Sequence, residues 1–168
     1  KDDYNFEFLE MGEEHSEREL ELGVIKNIRQ FLLEMGGDFT FIGNQYKIEI
    51  DPDEIFYIDL LLYHRRLRSL VAIELKKGKF KPEHSGKMQF YLSVLNDRVK
   101  LEDENPSIGI IICQSKNRTT VEYALKDMKK PIGVANYTLS KTLPEKLKQY
   151  IPSPEEFSHK IGLLKTES

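Results

Sequence analysis

Two carboxylates and a lysine stand inside apolar runs of the sequence, where charged side chains are unusual. Asp59 interrupts the apolar run 57–63, and Glu74 and Lys76 lie at the end of the apolar run 70–76. Leaving even a neutral polar group unsatisfied in such surroundings costs roughly 2–7 kcal/mol, and a charge costs more. We therefore expect each of these three charges to have a partner.

The short basic segment between the two runs predicts a hairpin loop, which sets a register. If Tyr63 faces Leu70, Asp59 faces Glu74. Opposed residues of an antiparallel pair project from one face of the sheet with Cβ atoms about 4.5–5.5 Å apart, and Lys76 projects from that face too. Two carboxylates this close need a proton or a cation between them. Carboxylates and water are the ligands that Mg²⁺ prefers, so the pattern predicts a divalent-cation site.

These residues resemble the signature of the PD-(D/E)xK nucleases, an acid on one strand followed by acid-x-Lys on the next. The signature here reads Asp59, fourteen residues, then Glu74-Leu75-Lys76, with Ile58 in place of the usual proline. Further segments extend the resemblance to the C-terminal nuclease domain of the bacterial YhcG-like family, over roughly residues 10–150. These segments are Gly43–Tyr46, Phe56–His64, Ile73–Lys76, Lys79–Pro82, Gly86–Leu92 and Pro106–Ile111.

The resemblance implies metal-dependent hydrolysis of phosphodiester bonds in DNA. Asp59, Glu74 and the backbone carbonyl of Leu75 would hold Mg²⁺ or Mn²⁺, and Lys76 would orient a water or stabilise developing charge. Nucleases of this superfamily often supply another acid from the first helix, and our candidate is Glu21, with Glu17 behind it. The alternative is that these two acids only solubilise the helix and complement its dipole.

Three further residues are candidates for contact with nucleic acid. Gln45 stands where the family carries a glutamine, although Asn44 replaces the adjacent arginine. Lys87 and Tyr91 occupy the two positions of a Gln-x-x-x-Tyr pair that borders the site in related nucleases, and they share one helix face. Simpler interpretations are a polar edge-strand residue for Gln45 and a core aromatic residue for Tyr91.

The charge distribution predicts where phosphates would bind. The net charge is −3, unlike that of a dedicated nucleic-acid-binding protein. Basic residues nevertheless flank the second strand of the hairpin, and we expect them to contact phosphates unless they are simply solvated. They are Arg65, Arg66, Arg68, Lys79 and Lys81. Such a patch predicts weak DNA binding, so tight binding would depend on the family's N-terminal DNA-binding region or on a homo-oligomer.

Length and composition predict one soluble domain with a core of its own. The chain has 168 residues, of which 39% are hydrophobic and 32% are charged. It has no apolar run near eighteen residues, so we expect no membrane span. The lone Cys113 lies in an apolar run and suits a reducing compartment, hence the cytoplasm. The first residue is Lys1, so we expect a C-terminal fragment of a longer protein, with a core at about 14–150 and a tail at 151–168.

The periodicities predict an α/β fold in which helices flank a mixed β-sheet, and the resemblance implies the restriction-endonuclease-like version of it. Residues 1–12 are expected to dock on the domain surface without a function. The predicted helices are 16–35, 83–95, 119–129 and 143–150, the strands 39–50, 57–63, 70–76, 108–113 and 132–137, and the loop 77–82.

Two other interpretations compete with a nuclease. A non-catalytic nucleic-acid-binding or scaffolding module could keep the same fold, and the acidic net charge weakly favours it. Alternatively, Asp59, Glu74 and Lys76 could form a purely structural charge cluster. The presence of all three signature residues favours the enzyme.

Overall fold

A six-stranded mixed sheet forms the centre of the computed structural model, which describes residues 2–12 and 14–139. The strands are β1 (Asp3–Asn5), β2 (Phe39–Asp51), β3 (Glu54–His64), β4 (Ser69–Lys79), β5 (Ile108–Ser115) and β6 (Ile132–Thr138). The helices are a 3-10 helix (Glu7–Leu9), α1 (Glu17–Lys26), α2 (Ile28–Met35), α3 (Pro82–Arg98) and α4 (Arg118–Leu125). The order across the sheet is β1-β6-β5-β4-β3-β2. Strands β1, β6, β5 and β4 are parallel, and β3 is antiparallel to β4 and β2, which confirms the predicted mixed sheet.

Both faces of the sheet are covered by apolar side chains from the helices. The N-terminal segment, α1 and α2 pack on one face, and α3 and α4 pack on the other. Every residue from Leu70 to Leu75 is buried, as expected for a central strand covered on both sides. Cys113 on β5 is fully buried, as predicted, and burial raises the pKa of its thiol to about 11. In the described part of the chain, no helix is long and apolar enough to cross a membrane.

A close contact between α3 and β5 positions the helix that carries Lys87 and Tyr91. A Cβ atom on Gly109 would lie 2.5 Å from Cγ of Met88. A larger residue at this point of β5 would therefore require the Met88 side chain of α3 to move.

The predicted register of the hairpin is confirmed. Tyr63 pairs with Leu70, and the last regular pair of the β3–β4 ladder is Leu60 with Ile73. In this register the next opposed residues are Asp59 and Glu74. The two acids therefore lie at the point where the ladder ends.

Strand β3 rotates about its own axis at this same point, so that its side chains change faces of the sheet. Leu60 packs with α1 and α2, whereas Ile58 packs with α3, although residues two apart in a regular strand share a face. Gln45 lies on the neighbouring strand between the pairs Asn44–Leu60 and Tyr46–Ile58, and its φ of 44° is in the left-handed region. The rotation of the two strands opens the sheet around Asp59.

The first predicted helix is two helices in the structure. Asn27 ends α1 and precedes α2, with φ −113° and ψ 37°. Its side chain donates a hydrogen bond to the Gly23 carbonyl at 2.9 Å, so it competes with the helical backbone for that acceptor. The apolar period runs through this break, which is why the period alone predicted one helix.

The N-terminal segment is part of the core, so the prediction that it only docks on the surface was wrong. β1 pairs with β6, and Tyr4, Phe6 and Leu9 are buried. The Phe6 ring packs against Phe31 and Tyr137 at centroid distances of 5.6 and 5.4 Å. A three-residue strand is too short to show a period, so the sequence did not indicate its pairing.

Other element boundaries differ modestly from the predicted ones. β4 continues to Lys79, where a loop was predicted from residue 77, and α4 ends at Leu125, four residues before the predicted end at Lys129. α3 begins at Pro82 and ends at Arg98. The predicted helix 143–150 and the tail 151–168 lie outside the described residues.

Candidate active site

Asp59 and Glu74 are in direct contact where β3 and β4 part. The backbone N–H of Asp59 donates to Glu74 Oε1 at 3.3 Å. In the other direction, the Leu75 N–H donates to Asp59 Oδ2 at 2.9 Å. Each strand thus binds the carboxylate of the other, and the two acids form one group.

Glu74 is buried, and its surroundings disfavour the charged form of its carboxyl group. Burial, together with the charge of Asp59 and a hydrogen bond to it, raises the pKa of Glu74 to about 8. Lys76 and Lys87 act in the opposite direction but do not cancel these effects. At neutral pH the pair therefore retains a proton, the charge state expected when two carboxylates face each other without a cation.

Lys76 reaches the same pocket from β4. Its Nζ lies 3.8 Å from Glu74 Oε2 and 4.0 Å from Glu17 Oε2, and only 14% of its side chain is exposed. The structure therefore brings together Asp59, Glu74 and Lys76 and adds Glu17 from α1.

Glu21 reaches the site through Gln45. The Gln45 Nε2 donates to Glu21 Oε1 and Oε2 at 2.9 and 2.8 Å, and it lies 3.3 Å from Asp59 Oδ1. Burial raises the pKa of Glu21, while hydrogen bonds from Gln45 and Asn44 work in the opposite direction. The sequence indicated Gln45 as a nucleic-acid contact, but it did not indicate this bridge to two acids. The feature of the sequence that could have indicated this bridge is the pair of polar residues Asn44 and Gln45, which lies opposite Asp59.

Tyr91 and Lys87 border the site from α3. Tyr91 is 1% exposed, which supports its interpretation as a core aromatic residue, and its hydroxyl donates to the Tyr57 carbonyl at 3.3 Å. Lys87 is exposed, with Nζ 5.5 Å from the centre of the Tyr91 ring. Lys87 is thus the member of this pair that is accessible to a ligand.

His84 is a neighbour of the site that the sequence did not indicate. Its Nδ1 accepts the Lys81 N–H at 3.1 Å, which places the proton of a neutral ring on Nε2. Burial and the charge of Lys76 lower the pKa of His84. The imidazole is therefore a neutral hydrogen-bond donor close to Lys76.

The basic residues do not form one patch, so that expectation was wrong. Arg65, Arg66 and Arg68 lie at the start of β4, and Lys79 and Lys81 lie at its end, about 33 Å away for ten steps of strand. Arg66 pairs with Asp38 at 2.9 Å, and Arg68 pairs with Asp103 at 3.3 Å. Of these five residues, only the two lysines lie at the end of β4 that carries Glu74 and Lys76.

The candidate metal ligands are two carboxylates rather than a larger cluster. Within residues 2–12 and 14–139, no group of three or more His, Cys, Asp or Glu side chains is arranged to hold a metal ion. Asp59 and Glu74 with the predicted Leu75 carbonyl would leave positions for water and substrate oxygens, as Mg²⁺ requires. The donor set fits a hard divalent cation, which would replace the shared proton.

The mixed sheet, its flanking helices and the acid, acid-x-Lys arrangement define a restriction-endonuclease-like nuclease domain. The family model described as "YhcG PDDEXK nuclease domain" matches residues 1–152. The chain belongs to this family.

A curated relative agrees with this membership. The chain is 39% identical over 139 residues to "Putative nuclease YhcG" of Escherichia coli strain K12, covering 83% of this chain. It spans only 37% of the length of that protein.

Two solved structures are similar to the chain. The first, "Structure of EndoMS-dsDNA2 complex", has a TM-score of 0.55 at 14% identity, over 76% of this chain and 46% of the other. A repair endonuclease from Pyrococcus abyssi has a TM-score of 0.48 at 18% identity, over 73% and 47% of the two chains. At these identities, the likeness of the first shows the fold alone.

Proposed function

We propose that this domain hydrolyses phosphodiester bonds in DNA with the help of Mg²⁺ or Mn²⁺. The observation that carries the proposal is the contact of Asp59 with the buried Glu74, with Lys76 3.8 Å from Glu74. A structural charge cluster would be expected to pair each carboxylate with a cation, whereas here two carboxylates face each other, and burial and Asp59 raise the pKa of Glu74 to about 8. Perturbed acids with a nearby cationic group are typical of catalytic sites.

The protein would hold the cation through three groups of the parted strands. These are the carboxylates of Asp59 and Glu74 and the backbone carbonyl of Leu75. Asp59 Oδ2 is already fixed by the Leu75 N–H, so little side-chain entropy remains to be lost on binding. A bound divalent cation supplies Lewis acidity toward the phosphate and lowers the pKa of a water.

Lys76 and Glu21 would act on the substrate side of the site. The Lys76 ammonium is anchored between Glu74 and Glu17, so it can orient a water or stabilise charge on a phosphate oxygen. Glu21 is held by Gln45 and would act on water near the cation rather than as a third direct ligand. The exposed Lys79, Lys81 and Lys87 surround this end of β4 and would bind adjacent phosphates.

DNA is the substrate that the fold favours. The EndoMS structure that shares this fold is a complex with double-stranded DNA, and we extend that substrate class to this chain. The net charge of −3 predicts weak binding by the isolated domain. Tight binding would then come from the N-terminal DNA-binding region of the full-length protein or from self-association into a homo-oligomer.

A cleavage assay tests the proposal. The chain and its full-length parent are incubated with plasmid and branched DNA in Mg²⁺, in Mn²⁺ or in EDTA, with Glu74→Gln as the matched variant. We expect cleavage only with the divalent cation and a loss of at least about 100-fold in Glu74→Gln, because a ligand is removed. Equal cleavage by the variant, or no cleavage by either unmodified protein, would contradict the proposal.

A further inference from the structure

Gln45 has a backbone conformation that glutamine rarely adopts. Its φ of 44° lies in the left-handed region in the middle of β2. Such a conformation costs about 1–3 kcal/mol and persists only where the surroundings impose it. Gly43 is two residues away, yet glycine does not occupy the strained position. The compensation for the strain therefore lies in what the Gln45 side chain contacts.

The side-chain amide of Gln45 lies between two carboxylates. Its Nε2 donates to both oxygens of Glu21, at 2.9 and 2.8 Å, and lies 3.3 Å from Asp59 Oδ1. A primary amide carries two N–H donors, so one nitrogen can serve both acids. Because Leu75 N–H binds Asp59 Oδ2, both oxygens of Asp59 have a donor. A neutral amide holds the two acids without adding a positive charge that would compete with a cation.

These contacts argue against a direct role of Gln45 in binding DNA. With Nε2 occupied by Glu21 and Asp59, only Oε1 of the amide remains for other partners. This oxygen is an acceptor, and a phosphate also offers only acceptors. The amide therefore has no donor left for the DNA backbone.

We propose that Gln45 is a positioning residue that fixes Asp59 and Glu21 in the geometry that binds the divalent cation. The inference rests on the proposed function because it assumes that Asp59 is a cation ligand. Hydrogen-bonding partners of ligands typically contribute about 10- to 100-fold to metal affinity. The left-handed φ of Gln45 directs its side chain toward Glu21 and Asp59 at the point where β2 and β3 rotate.

The test is Gln45→Asn, which shortens the amide by one methylene group. Asparagine tolerates the left-handed region, so the strand geometry is kept, but its amide is too short to bridge the two acids. Gln30→Asn on the exposed face of α2 is the matched control. Binding of MnCl₂ to the metal-free chain is measured by titration calorimetry, and urea unfolding without metal is measured for each variant.

We expect Gln45→Asn to bind Mn²⁺ about 10- to 100-fold more weakly than the unmodified chain, with Gln30→Asn unchanged. The metal-free unfolding midpoint of Gln45→Asn should stay close to that of the unmodified chain, which a merely structural role would not predict. Mn²⁺ binding by Gln45→Asn within twofold of the unmodified chain would overturn the inference.

The pattern of results separates this inference from the proposed function. Suppose that Mn²⁺ binding to the chain and to Gln45→Asn is as expected, but neither the unmodified chain nor the full-length protein cleaves DNA. The nuclease proposal then fails and the role of Gln45 stands. If the unmodified chain cleaves DNA and Gln45→Asn binds Mn²⁺ equally well, only the role of Gln45 fails. If the unmodified chain binds no Mn²⁺, both fail.

Discussion

Asp59 Oδ2 accepts the Leu75 backbone N–H at 2.9 Å, immediately beyond the last pair of the β3–β4 ladder. In the register of this hairpin the residue opposite Leu75 is Ile58, but the side chain of Ile58 packs with α3. The carboxylate thus satisfies a donor that the parting of the strands would leave unpaired. Asp59 therefore completes the end of the ladder and also forms one side of the candidate site.

We expect Asp59→Asn to lose at least about 100-fold in cation-dependent cleavage, equivalent to about 2.7 kcal/mol. Its metal-free fold should be equally stable or slightly more stable. The amide oxygen can still accept the Leu75 N–H, while the charge that disfavours ionisation of Glu74 is gone. Cleavage rates and urea unfolding curves check the two parts. A variant that is inactive and also markedly less stable would show that Asp59 is mainly structural.

The raised pKa of Glu74 predicts how the stability of the metal-free protein depends on pH. From its ordinary value of 4.5 to about 8, the folded state keeps a proton that the unfolded state has lost. The free energy of unfolding therefore falls as pH rises through this window, by up to about 1.4 kcal/mol per pH unit for one proton. Urea unfolding between pH 5 and 9 measures the slope.

The matched control for this pH dependence is Glu74→Gln. Glutamine keeps the shape of the side chain but has no proton to lose, so this variant should show a shallower slope over the same range. Parallel curves for the two proteins would mean that other groups cause the pH dependence.

The sequence was sufficient to predict the hairpin and its register. Charged residues at 59, 74 and 76 interrupt two apolar runs, and counting across the loop places Asp59 opposite Glu74. The apolar run of β5 likewise indicated a strand covered on both faces. These features follow from periodicity and from the cost of burying charge, both of which are local properties of the sequence.

Other features of the site depend on geometry that periodicity does not encode. The φ of Gln45 is a single dihedral angle, and nothing in the alternation along β2 predicts where the strand rotates. The basic residues were assigned to one patch because they flank one strand, but that strand separates Arg65 from Lys79 by about 33 Å. Asn27 divides the first helix without interrupting its apolar period.

Lys76 and Lys77 offer a matched pair for separating chemistry from cation binding. Lys76 contacts Glu74, whereas the neighbouring Lys77 is exposed. We expect Lys76→Met to reduce cleavage by at least about 100-fold, the scale of removing one electrostatic stabiliser of a transition state. Its Mn²⁺ affinity should change far less, and Lys77→Met should remain active. Calorimetry with MnCl₂ and single-turnover cleavage measure the two effects. Equal activity of the two variants would exclude a catalytic role for Lys76.

The separation of the basic residues predicts which end of β4 binds DNA. Lys79 and Lys81 are exposed at the end that carries Glu74 and Lys76, whereas the loop with Arg65, Arg66 and Arg68 lies at the other end. Each phosphate contact that is lost should lower the salt dependence of binding by about 0.9 in the slope of log K against log salt concentration. We expect the slope for the double variant Lys79→Glu, Lys81→Glu to fall by about two of these steps, one for each lysine, and the slope for Arg65→Glu to lose no such step.

The measurement is a salt series of fluorescence anisotropy with duplex and branched DNA, with Mg²⁺ replaced by Ca²⁺ to slow cleavage. Arg65→Glu is a suitable control because Arg65 is exposed and a charge reversal there changes the net charge without touching the site. Arg65→Glu changes the net charge by about two units and the double lysine variant by about four, so twice the effect of Arg65→Glu is subtracted first. Half of the remaining loss in the double lysine variant is then the contribution of each local contact. Equal slopes for the unmodified chain and the double lysine variant, or a larger loss at Arg65, would place the DNA on a different surface of the domain.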